Sequence, residues 1–325
     1  MYQVKEIGYQ EWSEHFIHCN KSNLMQSWQY GEAKQQSSMW RVIRFLVSDE
    51  NDEPLALAQY IQFSILKIGG LARMNRGPVL LGEKENSDKV ILDVIASLMY
   101  ESKKRRWWMV QIAPELLDNH ETAKSLSLFG LKHVVTVHYA SGLLSLHKSK
   151  NELLSDLKGK WRNRLRKGIK LGITVTTKHV GSDKFESLWN IYRLFQSDKG
   201  FRGLSRNLLS SLIKQRGNGW SVDLFVANIQ EDSGSNNDLG MVITIQHGDT
   251  TTYLIGATTN AGRDLQANYV LLWDAILHAK NNGSRWFDIG GLNSTTTKGI
   301  AHFKRGINSD LYTLIGEWRG IITPW

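Results

Sequence analysis

The spacing of apolar positions divides the chain into two runs of elements that follow the same order. In the first, Arg41 to Val47 predicts a strand, Ser48 to Pro54 a turn, and Leu55 to Phe63 a second strand. A third lies within Leu71 to Leu81, with a bend at Arg76-Gly77-Pro78. Lys89 to Lys104 carries Val90, Val94 and Leu98 at helical spacing and leads into a strand from Arg105 to Ile112. The second run predicts strands over Val222–Ile229, Leu239–His247 and Thr251–Ala257. A helix follows from Asn268 to Lys280, burying Leu271, Leu272, Ala275, Ile276 and Ala279, then a strand from Arg285 to Ile289. Between its first two strands, Glu231 to Asp238 reads as a loose hairpin turn. The halves share little residue identity, so duplication rests on the order of elements, against two unrelated α+β domains.

At 325 residues the chain can hold two domains, expected at 1–147 and 148–325. The second would open with a basic helical segment at about 151–171. Its single cysteine, Cys19, cannot form an internal disulfide, which fits a reducing compartment. One cysteine and scattered histidines give no metal-ligand spacing, so no metal is expected. No apolar run is long enough to cross a bilayer and the N-terminus lacks a secretion signature, which predicts a cytoplasmic protein without a transmembrane segment. A net charge of +9 calls for a polyanionic partner: nucleic acid, a diphosphate-bearing substrate or an anionic membrane face.

The densest charge lies between the two runs, at Lys158, Lys160, Arg162, Arg164, Arg166, Lys167 and Lys170, with no acid from Leu157 to Ser182. Leu153, Leu157, Trp161, Leu165 and Ile169 recur every fourth residue, predicting one helix face on the core, although Gly159 and Gly168 weaken the helix. The other faces would present ammonium and guanidinium groups suited to phosphate. A solvated surface helix is the bland alternative, but uncompensated like charges repel unless an anion is near.

The richest stretch for chemistry is Tyr253 to Trp318. It sets a strand tyrosine, the bend Asp288-Ile289-Gly290-Gly291 and the close Gly299-Ile300-Ala301-His302-Phe303-Lys304-Arg305-Gly306 on what reads as successive elements of one small sheet. Such a group suits a reaction in which a carbonyl oxygen becomes negative. No Walker-type phosphate loop and no Ser-His-Asp arrangement accompanies it.

A β-β-β-α-β unit repeated in this way resembles the GNAT acyltransferase fold, and two in tandem resemble the FemABX family of peptidyltransferases. The likeness rests on Gln26-Ser27-Trp28-Gln29-Tyr30-Gly31-Glu32-Ala33-Lys34 with Trp40, on Arg76-Gly77-Pro78-Val79, on Tyr253 to Ala257, on Phe287-Asp288-Ile289-Gly290-Gly291 and on Phe303-Lys304. It implies an α+β protein of two tandem GNAT-like domains, each a mixed central sheet flanked by helices. It also implies an aminoacyltransferase moving an amino acid from aminoacyl-tRNA to an amine of a nucleotide- or lipid-linked envelope precursor, with no further cofactor. A lipid-linked acceptor would bring the protein to the inner membrane face without anchoring it.

Carried over residue by residue, the resemblance makes Lys304 the stabiliser of the oxyanion. It makes Lys34, Arg76, Arg206 (with Arg202 as its neighbouring candidate) and Tyr253 substrate-binding residues. For Lys160, Arg162, Arg164, Arg166 and Lys167 it suggests contact with tRNA or substrate phosphates. The alternative for Lys304 is a surface lysine beside Arg305, and Asp288 reads more naturally as a turn cap than as a catalyst. Two departures stand out. Ala113-Pro114-Glu115 lacks the aspartate that relatives carry before the proline, so Glu115 would substitute or proton transfer would run through substrate and water. Phe185 to Gly219 is also too short for the long helical arm of some members.

Two other readings compete. One is a GNAT-type N-acyltransferase using acyl-CoA on a small amine, with Thr258 to Ala267 as a poor phosphate loop holding one glycine and one arginine. The other is a non-catalytic nucleic-acid-binding protein using the basic helix and Trp107-Trp108.

Overall fold

Each half builds its own sheet around a β-β-β-α-β run, and the pairing is the same in both. A computed structural model describes residues 2–65, 69–83, 87–180, 185–199, 203–230 and 236–322. In the first half, Arg41–Ser48, Pro54–Ile65 and Gly69–Asn75 pair antiparallel in sequence, and Trp107–Ala113 then lies parallel to Gly69–Asn75 after the helix Ser87–Lys104. In the second, Trp220–Gln230, Asn236–His247 and Thr250–Thr258 pair antiparallel, and Trp286–Asp288 lies parallel to Thr250–Thr258 after the helix Ala267–Asn281. A parallel neighbour cannot follow a tight hairpin, so each crossover needs its long helix. The expected elements match these closely. Of the expected hairpin turn, Glu231 to Ser235 lies outside the described residues, and the chain is already extended from Asn236.

The chain divides into two compact units: Met1–Ser141 with Asn293–Thr295 and Tyr312–Trp325, and Gly142–Leu292 with Thr296–Leu311. A single cut after residue 147 does not capture this division. The closing strand Glu317–Ile321 pairs antiparallel with Trp107–Ala113 and also with Lys132–Val134, and so completes the first sheet. The reason is apolar burial: Ile315, Trp318 and Ile322 join a core cluster with Val94, Leu98, Val110, Ile112 and Leu126. In the second unit, the strand after Trp286–Asp288 in the sheet is Ala140–Ser145, again antiparallel.

The basic segment departs from expectation. It forms two helices, Lys150–Asp156 and Gly159–Lys170, because Leu157 and Lys158 adopt extended backbone (ψ 139° and 138°). Ser149 and Glu152 form a reciprocal cap on the first helix. Leu153, Leu157, Trp161 and Leu165 are buried as expected, but Ile169 is 53% exposed. Gly168 takes the inward position instead: a Cβ there would sit 2.7 Å from Val270 Cγ2, so the glycine sets the approach to the helix Ala267–Asn281.

Among the described residues, no helix is long and apolar enough to cross a membrane, and no three His, Cys, Asp or Glu side chains are placed to hold a metal ion.

Candidate functional site

The second unit brings Tyr253, the Gly290-Gly291 bend and Lys304 together. Asp288 ends its strand buried, and its Oδ1 accepts the Gly290 N–H at 2.8 Å, so it caps the turn. Gly290 has φ +69°, and a Cβ there would lie 2.6 Å from the Tyr253 carbonyl oxygen and 3.4 Å from Lys304 Nζ. Both backbone and space therefore require glycine. Lys304 sits on the helix Lys298–Arg305 rather than on the sheet expected for it, and shares that helix's buried face with Ala301.

Lys304 is 7% exposed, not the surface lysine of the bland reading. Its Nζ donates to the Gly291 carbonyl at 3.2 Å and lies 4.9 Å from the centre of the Tyr253 ring. Burial pushes its pKa from 10.5 down to about 8, opposed by the charge of Asp288. An ammonium has three N–H donors. Among the described residues Gly291 is the one acceptor found for them, which leaves donor capacity for an anionic oxygen.

Tyr253 owes its place to two local features. The pairing register slips between Ile243 and Thr244, leaving Leu254 as the extra residue of a bulge. Gly256 then makes room, since a Cβ there would overlap Tyr253 Oη. Burial raises the phenol's pKa, so it remains a neutral hydroxyl.

The basic helix Gly159–Lys170 packs on the lysine helix of the same unit. The Trp161 ring stacks on Phe303 at 6.0 Å and meets Tyr269 edge-on at 5.0 Å. Trp161 Nε1 donates to the Phe303 carbonyl at 3.1 Å, and the Lys158 N–H donates to the Gly306 carbonyl at 3.0 Å. The expected anion-binding set splits here. Arg162 donates to the Ser155 carbonyl at 2.7 Å, and Arg164 donates to the Tyr269 hydroxyl at 2.6 Å. Lys160, Arg166 and Lys167 are exposed.

In the first unit, the opening motif proves to be a buried polar clasp. Gln26 exchanges hydrogen bonds with the Gln59 backbone (N–H to Oε1 2.7 Å, Nε2 to O 3.2 Å) and donates to the Asn75 carbonyl at 2.8 Å. The Gln59 side chain donates to the carbonyls of Met25 and Ser27 and accepts from Arg44 Nε at 2.7 Å. Arg44 in turn lies 3.4 Å over the Trp28 ring and pairs with Glu32. A Cβ at Gly31 would overlap Gln59 Oε1, so this glycine is needed for the clasp to close. Each polar group finds a partner, as burial demands.

Arg76 is 7% exposed, with Nε and Nη2 donating to the two Glu115 oxygens at 2.8 and 2.7 Å, Nη2 also to Tyr312 at 2.9 Å, and the Tyr139 ring 4.4 Å away. This bidentate pair accounts for both residues structurally: Arg76 braces the unit, and Glu115 serves as its counter-ion. Lys34 is half-buried on the helix Trp28–Ser37, one turn after Tyr30. Burial lowers its pKa, and nearby Arg73 lowers it further. Arg73 also opposes the upward push of burial on Tyr30, whose pKa reaches about 12. Tyr30, Lys34 and Arg73 thus cluster, and Glu317 pairs with Arg73 while accepting from Gln111. Arg73 was not anticipated, because its position becomes informative only once the helix lies over the strand.

Arg206 opens the helix Arg206–Lys214, is half exposed, and pairs with Glu186 beside the Phe185 ring. Arg202 lies outside the described residues. Among the described residues of that segment, Phe185–Lys199 and Arg206–Lys214 form helices. In the loop considered for CoA, a Cβ on Gly262 would overlap the Leu239 carbonyl oxygen, and Arg263 donates to Thr258 O at 2.9 Å and to Asn260. Both are engaged within their own surroundings.

The two repeated runs and their flanking helices define a pair of tandem GNAT-like units, an α+β fold of mixed sheets. By sequence, the FemAB family model matches residues 221–325, and over that stretch the chain is similar to the FemAB family. It is 24% identical over 95 residues to the aminoacyltransferase FemA of Staphylococcus aureus, a match covering 28% of this chain and 23% of that protein. The chain thus spans under a quarter of the length of the curated relatives it matches. In fold it resembles the crystal structure of FemX, with a TM-score of 0.79 at 16% identity over 99% of this chain and 98% of that one. It also resembles a tandem GNAT protein from the clavulanic acid biosynthesis pathway, with a TM-score of 0.55 at 9% identity over the whole of both chains.

Proposed function

We propose that this protein is an aminoacyltransferase that moves an amino acid from aminoacyl-tRNA to an amine of a peptidoglycan or other envelope precursor, with the Lys304 ammonium stabilising the oxyanion. The observation that carries this reading is a buried ammonium at a glycine bend with donor capacity to spare. The aminoacyl ester is already activated, so the reaction needs no covalent nucleophile. The acceptor amine attacks the ester carbonyl, the carbonyl oxygen becomes negative, and the tetrahedral adduct collapses with loss of the ribose oxygen. Lys304 meets the oxygen as it charges, while Gly291 and Tyr253 hold the ammonium in place.

The half-buried Lys34 supports an acceptor that carries phosphate, because a cation partly withdrawn from water gains from a nearby anion, whereas its neighbour Arg73 is already paired with Glu317. Lys34 has no acid partner among the described residues. With Ala113 unable to accept protons and Glu115 committed to Arg76, the amine's proton leaves through substrate or water. A lipid-linked acceptor would bring the protein to the inner membrane face. The acyl-CoA alternative gains no support, since its candidate loop uses Gly262 and Arg263 internally.

The test is transfer of radiolabelled amino acid from charged tRNA to precursor amines. Lys304→Met is expected to slow transfer about 10²–10³-fold, the loss typical of one oxyanion donor. Full activity in that variant would remove Lys304 from the chemistry, and acyl-CoA consumption without tRNA would redirect the assignment.

A further inference from the structure

We infer that the outward row of the basic helix, Lys160, Arg166, Lys167 and Lys170, is the surface that grips the phosphate backbone of the tRNA donor, held in register with Lys304 through Trp161. This rests on the reading above that the donor is aminoacyl-tRNA.

At 100° per residue, Trp161, Leu165 and Gly168 mark one side of the helix Gly159–Lys170, and all three are buried. Lys160, Asn163, Arg166, Lys167 and Lys170 fill the opposite side, and all are exposed. From Lys160 to Lys170 the row extends about 15 Å along the axis. The cations on its flanks donate within the protein, Arg162 to the end of the preceding helix and Arg164 to Tyr269. Those of the row have no acid partner among the described residues.

Helix electrostatics run against this arrangement in isolation. The first turn contains no acid and has no side-chain cap, so Lys160 faces the positive end of the helix dipole. Arg166 and Lys170 are like charges four residues apart, as are Lys160 and Arg164. A bound polyanion offsets each of these repulsions through its own attraction to the cations.

Charge complementarity selects RNA over a membrane. A helix lying on lipid turns its apolar face to the bilayer. Here Trp161 and Leu165 are buried in the protein, which leaves Ile169 as the one exposed apolar side chain of the helix, beside an outward row that is polar throughout. Trp161 supplies the link to chemistry: its ring and N–H fasten the helix to Phe303, the residue before Lys304. Phosphates gripped on the outer row are thereby held on a rigid support at a fixed offset from the ammonium.

The experiment measures anisotropy of fluorescent bulk tRNA against salt, for wild type and Lys160→Gln/Arg166→Gln/Lys167→Gln/Lys170→Gln. Each lost phosphate contact lowers the slope of log K against log salt by about 0.7–0.9, so the variant should lose about 3 from that slope. A control carrying Lys89→Gln/Lys103→Gln/Lys124→Gln/Lys132→Gln, equal in charge and exposed elsewhere, should keep it. An unchanged slope in the row variant, with wild type still transferring from charged tRNA, would overturn the row and leave the donor reading standing. No tRNA binding by wild type would remove both. If the row variant instead lost binding to phosphatidylglycerol vesicles and kept tRNA, the partner would be a membrane and the inference would fall. Trp161→Phe keeps the stacked ring without the N–H; it should lower kcat several-fold at unchanged KM for charged tRNA, and an unchanged kcat would break the proposed register.

Discussion

Methionine at position 304 should make the protein more stable and nearly inactive. Burial lowers the Lys304 pKa from 10.5 to about 8, a difference equivalent to about 3 kcal/mol at a neutral pH. Because the folded value is depressed, the unfolded chain binds more protons between pH 8 and 10.5. Stability therefore rises with pH through that window, and the full penalty is present below pH 8. Methionine matches the lysine stem in length and removes the charge. It forfeits the bond to Gly291, worth about 1 kcal/mol. The balance is about 2 kcal/mol in favour of Lys304→Met at pH 7, or roughly 4–8 °C in Tm for a unit of this size. Urea unfolding and calorimetry at pH 7 and pH 10 would measure it, with the gap shrinking at the higher pH. A variant less stable than wild type at pH 7, or a gap that does not change with pH, would refute the argument.

The same titration predicts that kcat falls as pH rises through about 8, because the ammonium is lost; a rate that stays flat to pH 10 would mean another group holds the oxyanion. Gly256→Ala should cut transfer about tenfold or more with secondary structure retained by circular dichroism, since the new Cβ displaces the Tyr253 ring. Arg76→Met should cost about 3–5 kcal/mol in urea unfolding by leaving Glu115 unpaired, and Arg76→Met/Glu115→Leu should regain most of it.

The strands and long helices were legible because each is a continuous apolar or alternating run closed by turn residues. The tandem order needed no more than that. The site was legible in part: Tyr253, Gly290 and Lys304 were singled out together, yet nothing adjacent to Lys304 in sequence announced its burial. That comes from the bend at Gly291 and the ring of Tyr253, both brought in from afar. Ile169 misled because a four-residue repeat continues past the point where its neighbour helix approaches most closely, at Gly168. Arg76 matched a motif as a ligand, but its partners Glu115 and Tyr312 lie 39 and 236 residues away. Arg73 and Glu317 are separated by 244 residues, beyond any local pattern.

The strand Glu317–Ile321 has a consequence for how the protein is made. Trp107–Ala113 leaves the ribosome long before this partner does, and at 5–20 residues per second the wait is on the order of ten to forty seconds. During that interval the nascent sheet presents a row of unsatisfied amides and carbonyls, a template for mispairing with other chains. The second unit can meanwhile gather nearly all of its own segments. Synthesis thus runs from first residue to last, while the first-made unit is the last able to close.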